Sequence, residues 1–392
     1  MWYNNRNAAI VRLDRLIQRR KFGKGAISIL RIWYNHTMCG ENLTTKTVLQ
    51  DLPGPLLAWY RANARDLPWR RTTDPYQIWV SEIMLQQTRV AAVLGYYARF
   101  LETFPTVEAL AAAPEERLMK LWEGLGYYSR ARNLQKAARI VAEQGGRFPD
   151  TYQDLLALPG VGDYTASAIA SAAFGRREAA VDGNVLRVAA RVTGDEGDIA
   201  APATKKRVTA ALAEIIPLDA PGDFNQAMME LGATVCLPNG APLCDFCPAR
   251  AFCTARLTGR TGQLPVKAAK KARRVEERTV FLIFHENRVA LRRRPGRGLL
   301  AGLWEYPNEL SPAGDALARW GIAPASLRSA GTGKHIFTHI EWRMSALAVE
   351  AGSPALPEGW VWADRAALAR EYAVPNAFQP FQGAVEERLG HF

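Results

Sequence analysis

LPGVGDYTASAIA, residues 158–170, sets two glycines around one valine directly ahead of an apolar run with helical spacing. Glycine lacks a Cβ, so it reaches φ > 0 and lets the backbone approach a ligand closely. The helix that starts behind the loop presents unpaired N–H groups and the positive end of its dipole. Together these features suit an anion such as a phosphate oxygen; an ordinary turn between two helices is the other reading of the pentapeptide alone. Tyr164 is the first large side chain after the glycines.

Further along come VDGNVLRV (181–188) and FNQAMMELGATVC (224–236), which leads into a cysteine cluster. Cys236, Cys244, Cys247 and Cys253 follow a C-x7-C-x2-C-x5-C pattern, and the fifth cysteine is the distant Cys39. One tight group in a chain otherwise poor in cysteine points to a metal rather than to disulfides, and the spacing admits either zinc or an iron–sulfur cluster. The three motifs, in this order, resemble the helix-hairpin-helix DNA glycosylases related to endonuclease III. The resemblance implies that Gly160, Val161 and Gly162 hold DNA, that Asp182 is the catalytic aspartate, and that the four cysteines carry a 4Fe-4S cluster. That cluster is expected to brace a DNA-contacting loop. The family usually has six residues in the first gap; LPNGAPL gives seven here, and Pro238, Asn239 and Gly240 can absorb one in a turn.

Glycosylases of this group that also cut the backbone carry, at the position of Tyr164, a lysine whose amine attacks the sugar to form a Schiff base. A phenol cannot form an imine, so the resemblance implies base removal without strand cleavage, with Tyr164 reaching the sugar or the aspartate by its hydroxyl; a core-packing tyrosine is the bland alternative.

Upstream, LPWRRTTDPYQIWVSEIMLQQTRV (67–90) and GLGYYSRARNLQKAA (124–138) resemble the MutY-type adenine DNA glycosylases, over essentially residues 51–392. On a helix, Glu82 and Gln86 share one face and Ile83 and Gln87 the adjoining one. Among Trp79, Ile83 and Met84, desolvation would raise the Glu82 pKa and keep a general acid protonated near neutral pH, although salt-bridged helix glutamates are commoner. The resemblance gives Glu82 the protonation of adenine N7 and Asp182 the stabilisation of the oxocarbenium-like sugar, a division of labour seen in paired carboxylates. Covalent engagement of the sugar carbon by Asp182, with Glu82 then activating water, is also compatible. Asn184 is expected to orient the aspartate or water; read alone, VDGN is equally a helix cap. Trp69, Arg70, Gln226 and Glu230 are implied to line the adenine pocket, and Gln87 and Tyr127 to push into the duplex. Trp69 and Tyr127 taken singly would pass as core aromatics.

From Leu52 to about Cys253 the apolar spacing is helical almost throughout, including 76–101 as one stretch, which predicts an all-α helix-hairpin-helix glycosylase domain over 51–253 with an iron–sulfur cluster loop. Residues 254–274 gather Lys267, Lys270, Lys271, Arg273 and Arg274 and read as a solvated linker. Residues 275–392 read as a C-terminal α+β domain, with strands in RTVFLIFHENRVALRRR, GLWEYP and HIEWRMSALAVEA and helices in ALARWG and PFQGAVEERLG. Its layout resembles the Nudix fold of nucleotide-pyrophosphate hydrolases, but the Mg²⁺-binding R-E-x-x-E-E helix is missing, so recognition rather than hydrolysis is expected. The Phe-Ser-His loop with which MutY proteins touch 8-oxoguanine is matched by Phe337, Thr338 and His339, where threonine keeps the hydroxyl and adds a methyl.

The net charge of +12 over 392 residues suits a polyanionic partner. Residues 1–50 carry nine Lys/Arg against two acids, leaving only +5 for the rest, and read as a nucleic-acid arm, an organelle-targeting peptide or a poorly ordered extension. No apolar run is long enough to cross a membrane. The expected protein is thus a monomeric, cytoplasmic, bacterial, nucleoid-associated enzyme acting on double-stranded DNA with A:8-oxoguanine or A:G mispairs. Arg130, Arg132 and the basic linker are expected to contact phosphates. A glycosylase of other specificity and a non-catalytic lesion binder are the rival readings.

Overall fold

The computed structural model describes residues 48–268 and 272–390. The basic segment 1–47 with Cys39, and Lys270 and Lys271 of the expected linker, lie outside the described residues. Fifteen α-helices run in chain order among the described residues: α1 (Pro53–Asn63), α2 (Pro75–Leu85), α3 (Val90–Thr103), α4 (Val107–Ala112), α5 (Glu115–Trp122), α6 (Ser129–Glu143), α7 (Tyr152–Leu156), α8 (Asp163–Phe174), α9 (Gly183–Thr193), α10 (Pro202–Ile215), α11 (Pro221–Thr234), α12 (Thr254–Leu257), α13 (Ala316–Arg319), α14 (Arg365–Arg370) and α15 (Gln382–Arg388). The strands are β1 (Arg274–His285), β2 (Arg288–Arg293), β3 (Trp304–Glu305), β4 (Asn308–Leu310), β5 (Pro324–Ile336), β6 (Ile340–Ala351) and β7 (Trp360–Ala363). The chain forms two compact units, one from 48–79 with 149–268 and the other from 80–148 with 272–390, and α2 carries it from the first into the second.

The first unit is all helical. Its core gathers Leu49, Leu52 and Leu56, the α9 residues Val185, Val188 and Val192, and Phe224, Ala227 and Leu231 of α11. In α9 all eight residues from Val185 to Val192 are buried, so the helix is enclosed on every side, with Arg187 and Arg191 buried among apolar residues. Two glycines press α11 against its neighbours. A Cβ on Gly222 would lie 3.0 Å from the Ala172 Cα of α8, and one on Gly232 would lie 2.6 Å from the Asn184 Cβ of α9.

The second unit holds α3–α6 and a seven-stranded mixed sheet ordered β3-β2-β1-β6-β5, with β4 beside β1 and β7 beside β2. The pairing β1–β6 is parallel and the others are antiparallel. Both faces of β1 are covered: Val280, Leu282 and Phe284 enter one apolar cluster, Phe281 and Ile283 the other. This produces a nearly continuous apolar run, as expected of a strand buried on both sides.

Three expectations change. The stretch 76–101 is not one helix: it breaks after Leu85 and restarts at Val90. Gln86 and Gln87 therefore leave the helix faces assigned to them. Residues 254–274 are not solvated throughout, because Ala255 and Leu264 are buried in the first unit's core. The long strand β5 was not visible in the sequence, since PASLRSAGTGKHI is small, polar and mostly exposed at a sheet edge and offers no alternation of apolar residues.

Candidate active site

The hairpin motif joins α7 to α8 through Leu158–Gly162. Gly160 adopts φ +77°, which the turn requires, while Val161 is buried and its N–H returns to the Leu158 carbonyl at 3.1 Å. Gly162 caps α8 at φ −104°, so its backbone suits any residue; its use is room, since a Cβ there would meet nothing within 4 Å. The loop thus offers an open helix N-terminus.

Asp182 is the N-cap of α9. Its Oδ1 accepts the Val185 N–H at 2.8 Å and its Oδ2 accepts the Asn184 Nδ2 at 2.7 Å. The cap reading and a catalytic reading of VDGN are therefore compatible, because the cap fixes the carboxylate's direction. Asn184 is held in turn: its Oδ1 accepts from Arg187 Nη2 at 2.9 Å, and Arg187 also donates to the carbonyls of Gly232 and Cys236, at 2.9 and 2.8 Å. With its oxygen committed to a guanidinium, the Asn184 amide turns its N–H toward the aspartate.

Helix α11 brings the expected pocket residues together. Arg70 donates through Nε to Gln226 Oε1 (3.1 Å) and through Nη2 to Glu230 Oε2 (2.8 Å), and its guanidinium lies 5.5 Å from the Tyr60 ring centroid. Glu230 is fully buried, and Arg65 grips it through Nε and Nη2, both at 2.7 Å. Burial pushes the Glu230 carboxyl up, but the hydrogen bonds from Arg65 and Arg70 outweigh it and hold the pKa at about 2. Trp69 is buried in the same unit. Tyr164, on the first turn of α8, donates its hydroxyl to the Met229 sulfur at 2.9 Å. Arg65, Arg187 and Met229 were missed from the sequence; a partner 165 residues away in the chain leaves no spacing signal.

All four cysteines line one cavity, with Val188, Val192, Leu231 and Val235 as apolar walls and Arg191, Arg250 and Arg256 as cations. Arg191 donates to the Cys236 sulfur at 3.3 Å. Burial raises the Cys247 thiol to about 12 and also raises Cys244 and Cys253. Among the described residues no group of three or more His, Cys, Asp or Glu is arranged to hold a metal ion.

In the second unit Glu82 is 3% exposed, on an α2 segment where Val80, Ile83 and Met84 are also buried. Gln87 and Tyr127 both adopt positive φ, +58° and +48°, and Tyr127 is exposed. One expected phosphate contact changes: Arg130 is buried against backbone carbonyls, so its guanidinium is not offered to DNA, while Arg132 is half-buried and paired with Glu115 at 2.6 Å. Thr338 and His339 are exposed at the tip between β5 and β6, with the Thr338 hydroxyl 3.3 Å from that of Tyr127. Phe337 turns inward, its ring 4.9 Å from Trp342 and 4.5 Å from His335. The exposed part of the expected FTH contact is therefore Thr338 and His339.

A helical unit with an open hairpin and a capped aspartate, in a chain whose second unit carries a Nudix-like sheet, is the architecture of a base excision repair protein. Residues 80–218 match the family described as HhH-GPD superfamily base excision DNA repair protein, and residues 279–382 match the NUDIX domain. The adenine DNA glycosylase of Homo sapiens is 38% identical over 403 residues, spanning 84% of this chain and 74% of that protein. That of Buchnera aphidicola subsp. Baizongia pistaciae is 36% identical over 255 residues, spanning 64% and 72%. A solved thermostable thymine-DNA glycosylase is 31% identical, with a TM-score of 0.49, covering 55% of this chain and 97% of its own. The chain belongs to the adenine DNA glycosylase family and is an enzyme that hydrolyses N-glycosyl bonds.

Proposed function

We propose that this enzyme removes adenine mispaired with 8-oxoguanine, or with guanine, from duplex DNA and leaves the sugar–phosphate backbone uncut. The observation that carries the reading is the first unit's arrangement around α11, which packs Asn184, the partner of Asp182, at Gly232 and draws Arg70 onto Gln226 and Glu230 of the same helix.

In this reading Glu82 donates its proton to adenine N7, the C1′–N9 bond breaks, and the base leaves neutral. Asp182, aimed by its cap and by Asn184, offsets the positive charge that develops on the sugar, and water adds at C1′ while giving its proton to the Glu82 carboxylate. The burial of Glu82 beside Val80, Ile83 and Met84 keeps it from bulk water, which supports the acid role. Base extrusion falls to Gln87 and Tyr127, and contact with the opposite base to Thr338 and His339. The monofunctional outcome is supported by Tyr164, whose hydroxyl rests on Met229 and whose position offers no amine.

The lining of the cysteine cavity supports a 4Fe-4S cluster, which needs four thiolates spread around a cube rather than closed on a single ion: four sulfurs share apolar walls, with arginines to balance the charge of metal-bound thiolates. Cys236, Cys244, Cys247 and Cys253 would hold it, and its contribution is to brace the loop. The C-terminal sheet lacks an acidic metal-binding helix among the described residues, α13 being the four-residue ALAR, which supports recognition over pyrophosphate hydrolysis.

The test uses duplexes carrying A opposite 8-oxoguanine, A opposite G, A opposite T and thymine glycol, each assayed with and without alkali. Adenine release from the two mispairs alone, with nicks only after alkali, is the expected pattern. Strand breaks before alkali would overturn the reading of Tyr164, and release from A opposite T would overturn the specificity.

A further inference from the structure

Arg130 is 8% exposed, yet it is a cation in contact with no carboxylate among its hydrogen-bond partners. Its Nη1 reaches the carbonyls of Ile83 (2.8 Å), Met84 (2.9 Å) and Gln86 (2.6 Å). Its Nη2 reaches those of Leu125 and Gly126, both at 3.1 Å, and the Thr88 hydroxyl at 3.3 Å. The guanidinium also lies 5.4 Å from the Trp122 ring centroid and 5.6 Å from that of Tyr127. Burial brings its pKa down to about 10, so it remains charged at neutral pH.

The first three carbonyls lie at and just beyond the C-terminal end of α2, where helix geometry leaves carbonyls without intrahelical partners. Immediately after them comes Gln87 at φ +58°, and immediately after the second pair comes Tyr127 at φ +48°. These are two of the four non-glycine residues with positive φ among the described residues, and both have a Cβ that disfavours the left-handed region by about 1–2 kcal/mol. Such strain persists only where the surroundings over-determine it. One guanidinium grips the residues that flank both. Its planar fork can serve two loops at once, which the point charge of a lysine cannot.

We propose that Arg130 is a positioning residue that fixes Gln87 and Tyr127 in their strained conformations, so that both side chains are presented for insertion into DNA. The inference rests on the duplex-inserting role given to these residues under Proposed function. It also accounts for the break between α2 and α3: the guanidinium satisfies the carbonyls that a continued helix would have satisfied.

The experiment compares wild type with Arg130→Lys, each alone and combined with Gln87→Ala/Tyr127→Ala. Two readouts are taken: single-turnover adenine release from an A:G duplex, and the fluorescence rise of 2-aminopurine at the target position, which reports unstacking without chemistry. Arg130→Lys is expected to lower release at least about tenfold and to blunt the fluorescence rise in the wild-type background, yet to change release less than about twofold once Gln87 and Tyr127 are gone. Equal losses in the two backgrounds would mark a merely structural role and overturn the proposal, as would full release by Arg130→Lys. If Arg130→Lys does not fold, Thr88→Val removes one partner of the fork on a half-buried residue; a two- to fivefold loss confined to the wild-type background supports the proposal, and no loss overturns it. A wild type that unstacks 2-aminopurine but releases no adenine would instead refute the proposed activity.

Discussion

Replacing Glu230 by glutamine keeps the shape of the side chain and removes the charge on which Arg65 and Arg70 converge. Desolvation alone would raise this carboxyl, yet the two arginines carry it from its ordinary 4.5 to about 2. A shift of that size corresponds to about 3 kcal/mol of preference for the ionised form. Arg65 is 39% exposed, so water screens part of its share and the expected loss of stability in Glu230→Gln is about 2–3 kcal/mol at pH 7. For a unit of this size that lowers Tm by roughly 4–12 °C. Because the folded-state pKa is depressed, the stabilisation is full above the unfolded value of 4.5 and is lost as pH falls toward about 2. Urea unfolding of both proteins, followed by circular dichroism at pH 7 and pH 3, should therefore show the gap between wild type and variant shrink markedly at the lower pH. A gap below about 1 kcal/mol at pH 7, or one equally large at pH 3, would refute the claim that Glu230 is held ionised by two arginines.

Asp182→Asn should keep the α9 cap, since asparagine caps as well as aspartate, and leave Tm within about 2 °C while release of adenine falls at least about a thousandfold; a parallel loss of stability would contradict the separation of the two roles. Gly232→Ala puts a methyl 2.6 Å from the Asn184 Cβ and is expected to cost about 1–3 kcal/mol and about tenfold in release, measured by thermal melts and single-turnover kinetics. Tyr164→Lys should yield a protein–DNA adduct trapped by borohydride on a mispaired duplex, with wild type giving none; equal trapping in both would overturn the account of this position.

Much of the site was legible because its residues belong to local motifs. The hairpin glycines, the VDGN cap and the four cysteines each sit within a few residues of one another, so spacing carries their relation, and Arg70, Gln226 and Glu230 meet as the resemblance implied. What could not be read was contact at long range. Arg65 and Arg187 reach their partners across the fold, and Arg130 and Arg132, taken as surface cations by their charge, are committed to carbonyls and to Glu115. The break after Leu85 left little trace because Gln86–Arg89 is a short polar gap with no Gly or Pro between two apolar segments, and the carbonyls at the end of α2 are met by a guanidinium from another helix. Strand β5 was hidden by its position, an exposed edge whose side chains need no apolar pattern.

The proposed chemistry is tested most directly by single-turnover release of adenine from an A:8-oxoguanine duplex by Glu82→Gln, alongside wild type of equal Tm. An amide of the same shape has no acidic proton to give, so release should fall by about a hundredfold or more while DNA binding is retained. Undiminished release by a folded Glu82→Gln protein would contradict the assignment of the acid.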